Sequence, residues 1–220
     1  MRLIVFDVDG TLVDSQQEIV AAMRRAFDEA GLAPPPASEI LNIVGLSLDR
    51  AVASLAPDAD HLAMVKAYQK AYVELRAKSG AAQSSPLFPG ARTLLDSLAG
   101  QPDTLLGVAT GKSKRGLDKL VEAHALQGMF VTQQVADHHP SKPHPAMLME
   151  AMSEAGCVPG QTVMIGDTSY DMEMAQAAGV AGIGVLWGYH PRQSLQHARV
   201  LAEDFDDLTR LLENGSGFLL

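Results

Sequence analysis

Residues 3–15 of this 220-residue chain have the sequence LIVFDVDGTLVDS. The first four residues form a continuous apolar run, which is typical of a parallel strand buried on both faces. Asp7 and Asp9 follow this run at the carboxyl end of the predicted strand, where open α/β sheets bind their ligands. Because side chains alternate along a strand, the two aspartates are expected on one face. The stretch therefore predicts the first strand of an α/β sheet with two carboxylates at its end.

Further apolar runs predict the other strands of this sheet, namely residues 105–109, 163–165 and 183–186. Helical patterns lie between them, one capped by Ser113, one opened by Pro145 and one that ends at Gly179. Alternating strands and helices predict an α/β fold with a Rossmann-like parallel sheet and helices on both faces.

Residues 16–85 interrupt the alternation with helical patterns and no strand pattern. The expected helices and the linker after them are residues 16–30, 47–55, 60–78 and 80–86. We therefore expect two domains, an α/β core of residues 1–14 and 87–220 and an all-helical cap of residues 15–86. The Gly-Ser-Gly stretch at residues 215–217 is expected to be a frayed end.

The composition limits the partners and the compartment of the protein. The formal net charge of −9 and the sequence pI of about 5.1 argue against binding to nucleic acid, whose phosphates require a basic face. Cys157 is the single cysteine, so a reducing compartment fits and no intrachain disulfide is possible. The N-terminal apolar run is far shorter than the ~18 residues of a membrane span. We expect a cytoplasmic protein without a membrane partner, and its oligomeric state stays open.

Carboxylates at two strand ends suggest a metal site. Asp7 and Asp9 would repel each other on one face, and a hard divalent cation such as Mg²⁺ relieves that repulsion. Asp167 follows another predicted strand, and Asp171 lies one helical turn further on. Taken alone, the first pair also fits a solvated turn, and the second pair also fits helix N-capping.

Other residues at the same edge can bind an anion. Thr110 and Gly111 end an apolar run and offer a hydroxyl and backbone N–H groups. Lys142 lies in a proline-rich loop, where it can neutralise a phosphoryl oxygen. Each feature alone also fits an ordinary turn or a solvated lysine. Three histidines lie near Lys142 in the sequence, namely His138, His139 and His144. We interpret them as part of a polar loop rather than as zinc ligands.

The order of these motifs resembles that of the haloacid dehalogenase-like superfamily: Asp-x-Asp-Gly-Thr, Thr-Gly, Lys-Pro and Gly-Asp-x-x-x-Asp. The resemblance includes all four motifs of that superfamily and covers nearly the whole chain. Within the superfamily the chain is similar to the phosphoglycolate phosphatase-like group, which has a helical C1-type cap. The resemblance implies a Mg²⁺-dependent phosphatase that hydrolyses small-molecule phosphate monoesters, with phosphoglycolate as one candidate.

The resemblance also implies roles for the carboxylates. Asp7 would attack phosphorus and form an aspartyl-phosphate. Asp9 would protonate the leaving oxygen and then accept a proton from the hydrolytic water. Mg²⁺ would bind the Asp7 carboxylate, the Asp9 backbone carbonyl and the Asp167 side chain.

The same resemblance places the phosphate-binding groups. Thr110, the Gly111 amide and Lys142 would hold the transferred phosphoryl oxygens, and Asp171 would orient Lys142 or a metal-bound water. Many relatives have Asn where this chain has Gly111, so one side-chain contact is absent here.

Substrate selection is expected in the cap, where the candidate contacts are Gly45, Leu46, Ser47 and Arg50. A sugar-phosphate mutase of the β-phosphoglucomutase type is the alternative, since such mutases also have an acid at the position of Asp9. Mutases carry basic residues around this cap loop, whereas here Val44 and Leu48 flank it. A phosphoacceptor signalling domain fits less well, because its lysine would come last and it needs no helical insertion.

Overall fold

A computed structural model describes residues 1–213, so the expected frayed end lies outside the described residues. The centre of the protein is a six-stranded sheet in the order β3-β2-β1-β4-β5-β6, and every neighbouring pair of strands is parallel. The strands are β1 (Arg2–Phe6), β2 (Thr104–Thr110), β3 (Thr132–Val135), β4 (Thr162–Gly166), β5 (Ala181–Val185) and β6 (Val200–Ala202). The predicted α/β fold class is confirmed.

The two edge strands, β3 and β6, were not predicted from the sequence. The sequence of β3 is TQQV, which contains no apolar run, and β6 has three residues. Each pairs with one neighbour only, β3 with β2 and β6 with β5. An edge strand is held by one ladder and is covered less completely than a central strand, so it does not need a continuous apolar run.

Helices cover both faces of the sheet: α6 (Ala91–Ala99), α7 (Lys114–Ala123), α8 (Ala146–Ala155), α9 (Ser169–Ala177) and α10 (Phe205–Glu213). Alternate residues of β1 enter different apolar clusters. Ile4 and Phe6 pack with α6, α7 and α10, whereas Leu3 and Val5 pack with α8 and α9. This two-sided burial explains why β1 is apolar at successive positions.

The predicted capping residues lie at the helix ends. Ser113 accepts a hydrogen bond from the Gly116 amide (3.2 Å) at the start of α7. Pro145 precedes α8, which ends at Gly156 in the left-handed conformation that favours glycine. The local signals therefore located these helices to within one or two residues.

Residues 16–85 contribute no strand to the sheet, and their helices are α1 (Gln16–Glu29), α2 (Ala37–Asn42), α3 (Leu48–Leu55), α4 (His61–Ser79) and α5 (Ala81–Ser84). This segment has an apolar cluster of its own, which includes Met23, Phe27, Ile40, Val52 and Met64. The short helix α5 stands where we expected a linker. Gly80, at φ 81°, ends α4 and permits the chain to turn into α5.

Within residues 1–213, none of the helices has the length and apolar composition needed to cross a bilayer.

Candidate active site

The central strands bring two predicted site residues together. β1 and β4 are neighbours at the point where the strand order reverses, and α/β sheets bind ligands at that switch point. Asp7 follows β1 and Asp167 follows β4, with the Asp7 amide donating to the Ile165 carbonyl (2.9 Å). Carboxylate oxygens of Asp7, Asp167 and Asp171 lie within 4.8 Å of one another, and all three residues are buried.

Lys142 reaches this cluster from the loop between β3 and α8. Its Nζ lies 2.7 Å from Oδ1 of Asp7 and 2.6 Å from Oδ1 of Asp171, and its side chain is fully buried. Burial alone would lower the pKa of Lys142, but Asp171 and Asp7 raise it above its usual value. The ammonium therefore stays charged, and with Asp167 included the cluster contains three carboxyl groups and one ammonium.

Asp7 keeps one oxygen without a partner. Its Oδ2 is buried and forms no hydrogen bond to any described residue. Burial raises the pKa of Asp7 to about 7, Lys142 opposes the rise, and Asp171 and Asp9 add to it. An unpaired buried carboxylate oxygen is costly, and an oxygen-liganded divalent cation would remove that cost. The donor set around Asp7 therefore fits Mg²⁺.

Asp167 is fixed from two sides. Thr11 Oγ1 donates to its Oδ1 (2.8 Å), and the Tyr189 amide donates to its Oδ2 (2.8 Å). Burial raises the pKa of Asp167 well above its usual value, and Asp7 and Asp171 raise it further. Gly10 permits this approach, because a Cβ there would lie 2.3 Å from Oδ2 and its φ is 85°. The carboxylate is thus held in place with one lone pair on each oxygen still available.

Asp171 is engaged through both of its oxygens. Oδ1 accepts from Lys142, and Oδ2 accepts from the Thr168 amide (3.0 Å) and Thr168 Oγ1 (2.7 Å). A carboxylate held in this way orients its lysine more readily than it binds a cation. The geometry is compatible with the orienting role that the resemblance implied.

Asp9 has a partner that the sequence analysis missed. Lys112 Nζ donates to both oxygens of Asp9, at 2.7 and 2.8 Å, and Ser15 Oγ also donates to Oδ1. Burial would lower the pKa of Lys112, while Asp9 and Tyr72 raise it above its usual value. The sequence feature that could have identified Lys112 is its position, because it directly follows the Thr110-Gly111 motif at the same sheet edge.

Gly111 lies against the loop that joins α2 to α3. A Cβ at Gly111 would lie 2.5 Å from the Leu46 carbonyl oxygen and 2.7 Å from that of Gly45. These atoms belong to the backbone, so a side chain could not fit without moving the loop. The same loop contacts the Lys142 region, because the Ser47 amide donates to Ser141 Oγ (2.9 Å). This packing explains why glycine stands at position 111.

A cavity of about 730 Å³ lies between the helical segment and the sheet. The predicted site residues among those lining it are Asp7, Asp9, Thr110, Gly111, Gly45, Leu46 and Ser47. Arg50 does not line the cavity and is exposed, whereas Tyr72, Arg76 and Lys112 line it and were not predicted. Lys142, Asp167 and Asp171 are buried and do not line the cavity.

The three histidines near Lys142 do not converge on one point. His139 Nε2 lies 2.7 Å from Gln134 Oε1, and His144 Nδ1 accepts from the Ala146 amide (3.2 Å). Within residues 1–213, the group of possible metal ligands consists of the three buried aspartates and contains no histidine. Tyr189 also contacts the site, because its amide donates to Asp167 and its hydroxyl accepts from the Ser15 amide (2.9 Å).

The sheet, and the aspartate-lysine centre at its switch point, define the protein as an α/β enzyme. The sequence model of the haloacid dehalogenase-like hydrolases matches residues 4–185. The chain therefore belongs to this family.

Curated relatives and solved structures agree with that assignment. The chain is 36% identical over 214 residues to "Probable phosphatase IndB" of Dickeya dadantii (strain 3937), covering 94% of this chain and 91% of the relative. It is 31% identical to the phosphoglycolate phosphatase of Pseudomonas putida (strain KT2440), covering 96% and 78% of the two chains. The crystal structure of a hydrolase from Pseudomonas syringae has a TM-score of 0.84 at 25% identity, covering 97% and 99%.

Proposed function

We propose that this protein is a Mg²⁺-dependent phosphatase that hydrolyses small-molecule phosphate monoesters through an aspartyl-phosphate on Asp7. The observation that carries the proposal is the state of the Asp7 carboxylate. One oxygen is paired with a buried lysine and the other has no partner among the described residues, at the wall of a cavity large enough for a small ester. Phosphoglycolate is a candidate substrate because relatives such as the Pseudomonas putida protein carry that name.

The metal ligands in this proposal are Oδ2 of Asp7, the Asp167 carboxylate and the Asp9 backbone carbonyl. Asp7 and Asp167 belong to the cluster of buried carboxylate oxygens within 4.8 Å of one another. When bound, Mg²⁺ supplies positive charge that shields the attacking carboxylate from the phosphate and stabilises the charge of the transition state.

The chain's own residues account for the remaining steps. Lys142, Thr110 and the Gly111 amide hold phosphoryl oxygens, while Asp171 keeps Lys142 in position. An Asp7 oxygen forms a bond to phosphorus, the ester P–O bond breaks, and a protonated Asp9 gives its proton to the leaving oxygen. Water then attacks the phosphorus of the aspartyl-phosphate, Asp9 takes a proton from that water, and the Asp7 carboxylate and inorganic phosphate are released.

The helical segment acts in this proposal as a cap domain of residues 15–86 over a core of residues 1–14 and 87–220. Its separate apolar cluster supports that division. The chain passes between the proposed core and cap twice, near residues 14 and 86. These two connections lie side by side, since the Asp14 amide donates to the Pro86 carbonyl (2.9 Å) and Val13 forms a β-bridge with Leu87. Two adjacent connections can serve as a hinge that opens the cavity to substrate.

We place the enzyme in the cytoplasm, the reducing compartment that suits its single, buried and unpaired Cys157. Hydrolysis is favoured over sugar-phosphate isomerisation for two reasons. Curated relatives over most of the chain are named phosphatases, and the cap loop that contacts Gly111 is flanked by Val44 and Leu48 rather than by basic residues.

The test is a panel of phosphate esters, including phosphoglycolate and glucose and ribose phosphates, incubated with the purified protein and Mg²⁺. Released inorganic phosphate is expected in proportion to the ester consumed. Asp7→Asn should lower turnover at least about a hundredfold, because an amide cannot form the acyl-phosphate. Asp96→Asn is the matched control, since Asp96 is exposed and pairs with Arg92 on α6. Isomerised sugar phosphate with little free phosphate would overturn the hydrolase assignment.

A further inference from the structure

Four cations that line the cavity have no task in the mechanism proposed above, and Arg115 and Lys119 of α7 are two of them. The other two, Lys112 and Arg76, lie against one tyrosine ring. Lys112 has a side chain only 9% exposed, and its Nζ lies 5.5 Å from the centroid of the Tyr72 ring. Arg76 comes from α4 in the helical segment, and its Cζ lies 5.8 Å from the centroid of the same ring. Both residues line the cavity that Asp7 lines. One tyrosine ring therefore contacts both a cation of the core and a cation of the helical segment.

Arg76 forms no direct ion pair among the described residues. Its Nη2 is buried without a hydrogen-bond partner, and within residues 1–213 no carboxylate lies within ion-pair distance of its guanidinium. Burial raises the pKa of Glu18, and Arg76 and Lys112 oppose that rise although Glu18 bonds neither of them. A buried guanidinium nitrogen without a partner is unfavourable, so an anion that enters the cavity would gain a charge-assisted hydrogen bond.

Lys112 does have a partner, and that partner is Asp9, which the proposed mechanism uses for proton transfer. Its Nζ donates to both oxygens of Asp9. An anionic group of a substrate can take the place of Asp9 as the partner of Lys112, which leaves the Asp9 oxygens free to act on the leaving group. Lys112 Nζ lies 2.7 Å from Asp9, which acts on the leaving oxygen in the proposed mechanism, so such a group lies within a few bonds of the phosphoryl group.

We propose that Lys112 and Arg76 form a subsite for a second anionic group of the substrate, a carboxylate or a second phosphate. This inference rests on the proposed function and specifies its substrate class: phosphate compounds that carry another anion close to the phosphoryl group that is transferred. A protein with a net charge of −9 repels anions on average, so local cations have to supply the attraction.

The test compares three substrates with the wild-type protein and Mg²⁺. Phosphoglycolate carries a carboxylate, pyrophosphate carries a second phosphate, and ethyl phosphate has a methyl group where phosphoglycolate has its carboxylate. At least one of the anion-bearing compounds should exceed ethyl phosphate in kcat/KM by about 10- to 100-fold, as expected for charge-assisted hydrogen bonds. The preferred compound identifies the source of the anion. Equal kcat/KM for all three would overturn the subsite.

Variants then assign the preference to the two cations. Lys112→Met and Arg76→Gln should each reduce the ratio of kcat/KM between the anion-bearing compound and ethyl phosphate by about tenfold or more. Lys114→Met and Arg24→Gln are the matched controls, because both residues lie outside the cavity lining. An unchanged far-UV circular dichroism spectrum shows that a variant is folded, because Lys112 pairs with Asp9 and its loss can by itself alter the turnover of ethyl phosphate. A preference that survives both substitutions would overturn the proposal.

A binding measurement separates this inference from the phosphatase proposal and does not depend on altering the cations. Asp7→Asn protein, with Lys112 and Arg76 intact, should bind phosphoglycolate or pyrophosphate at least about tenfold more tightly than ethyl phosphate by calorimetry. If no ester is hydrolysed by the wild-type protein, the phosphatase proposal fails while this measurement still decides the subsite. Equal affinities would refute the subsite even if the enzyme is an active phosphatase.

Discussion

Lys142 joins Asp7 at the end of β1 to Asp171 in the first turn of α9, with Nζ–Oδ1 distances of 2.7 and 2.6 Å. All three side chains are at most 1% exposed, so the lysine is held where a phosphoryl group on Asp7 would meet it. The loop with Lys142 and the helix with Asp171 follow different strands. These two contacts therefore hold three separate segments of the chain together at the sheet edge. They also place a positive charge beside Asp7.

Removal of Lys142 is expected to destabilise the fold. Lys142→Met leaves two carboxylates buried without their cation, and breaking a buried ion pair in this way costs about 3–5 kcal/mol. Chemical denaturation in EDTA measures the free energy of unfolding. Lys119→Met is the control, because Lys119 forms an exposed pair with Glu122 and such pairs contribute about 0–1 kcal/mol. Equal losses for the two variants would contradict the buried pairing.

Chelation is expected to abolish activity. EDTA should remove turnover and Mg²⁺ should restore it, whereas Zn²⁺ should substitute poorly because the proposed ligands are all oxygen atoms. Asp167→Ala should raise the Mg²⁺ concentration for half-maximal activity at least about tenfold, as the loss of a ligand does. Titration of released phosphate against Mg²⁺ measures this. Full activity in chelator, or an unchanged requirement in the variant, would place the metal elsewhere.

The stability of the metal-free protein should depend on pH through Asp7. Burial raises the folded-state pKa of Asp7 to about 7, above its usual value in an unfolded chain. The folded state therefore holds a proton that the unfolded state has lost. Its stabilising contribution is complete below the unfolded pKa and is lost as the pH rises through about 7.

The measurement is the free energy of unfolding in EDTA at pH 5 and pH 8 for wild type and Asp7→Asn. The wild type should lose on the order of 2–3 kcal/mol more than the variant between these values. Added Mg²⁺ should restore most of the difference at pH 8, because a cation replaces the proton. A wild type that gains stability relative to Asp7→Asn over this range would show that the sign is wrong.

A side chain at Gly111 should disturb the cap loop and leave the core folded. Gly111→Ala places a Cβ 2.5 Å from the Leu46 carbonyl oxygen, and such overpacking costs about 1–3 kcal/mol. If the cap has to close for turnover, kcat/KM should fall about 10- to 100-fold while the unfolding of the core changes less. Gly100→Ala is the control, since its Cβ would meet no atom closer than 3.5 Å. Unaltered kinetics in Gly111→Ala would show that turnover does not require this contact.

The sequence by itself determined the central part of the fold. The run before Asp7 is apolar at successive positions because β1 is covered on both faces, and that burial is directly visible in the residue types. Ser113 and Gly156 mark helix ends for reasons that depend only on local backbone geometry. The family followed from the order of four short motifs, and the comparisons confirm it.

The assignment of Asp7, Asp9, Thr110, Gly111, Lys142, Asp167 and Asp171 to the reaction stays a prediction that the experiments above test. The structure places these residues at one edge of the sheet. It adds the contact of Lys112 with Asp9, which joins positions 103 residues apart in the chain.

Only the tertiary structure decided which cations face the cavity. Arg50 stands beside the predicted cap loop but is exposed outside the cavity, whereas Arg76 reaches it from the far end of α4. Local patterns report which residues form a helix and which face is apolar, because those depend on neighbours a few residues away. The direction in which a charged side chain points depends on how α1 and α4 pack over the sheet. That packing is set by contacts between distant parts of the chain, and short motifs do not record them.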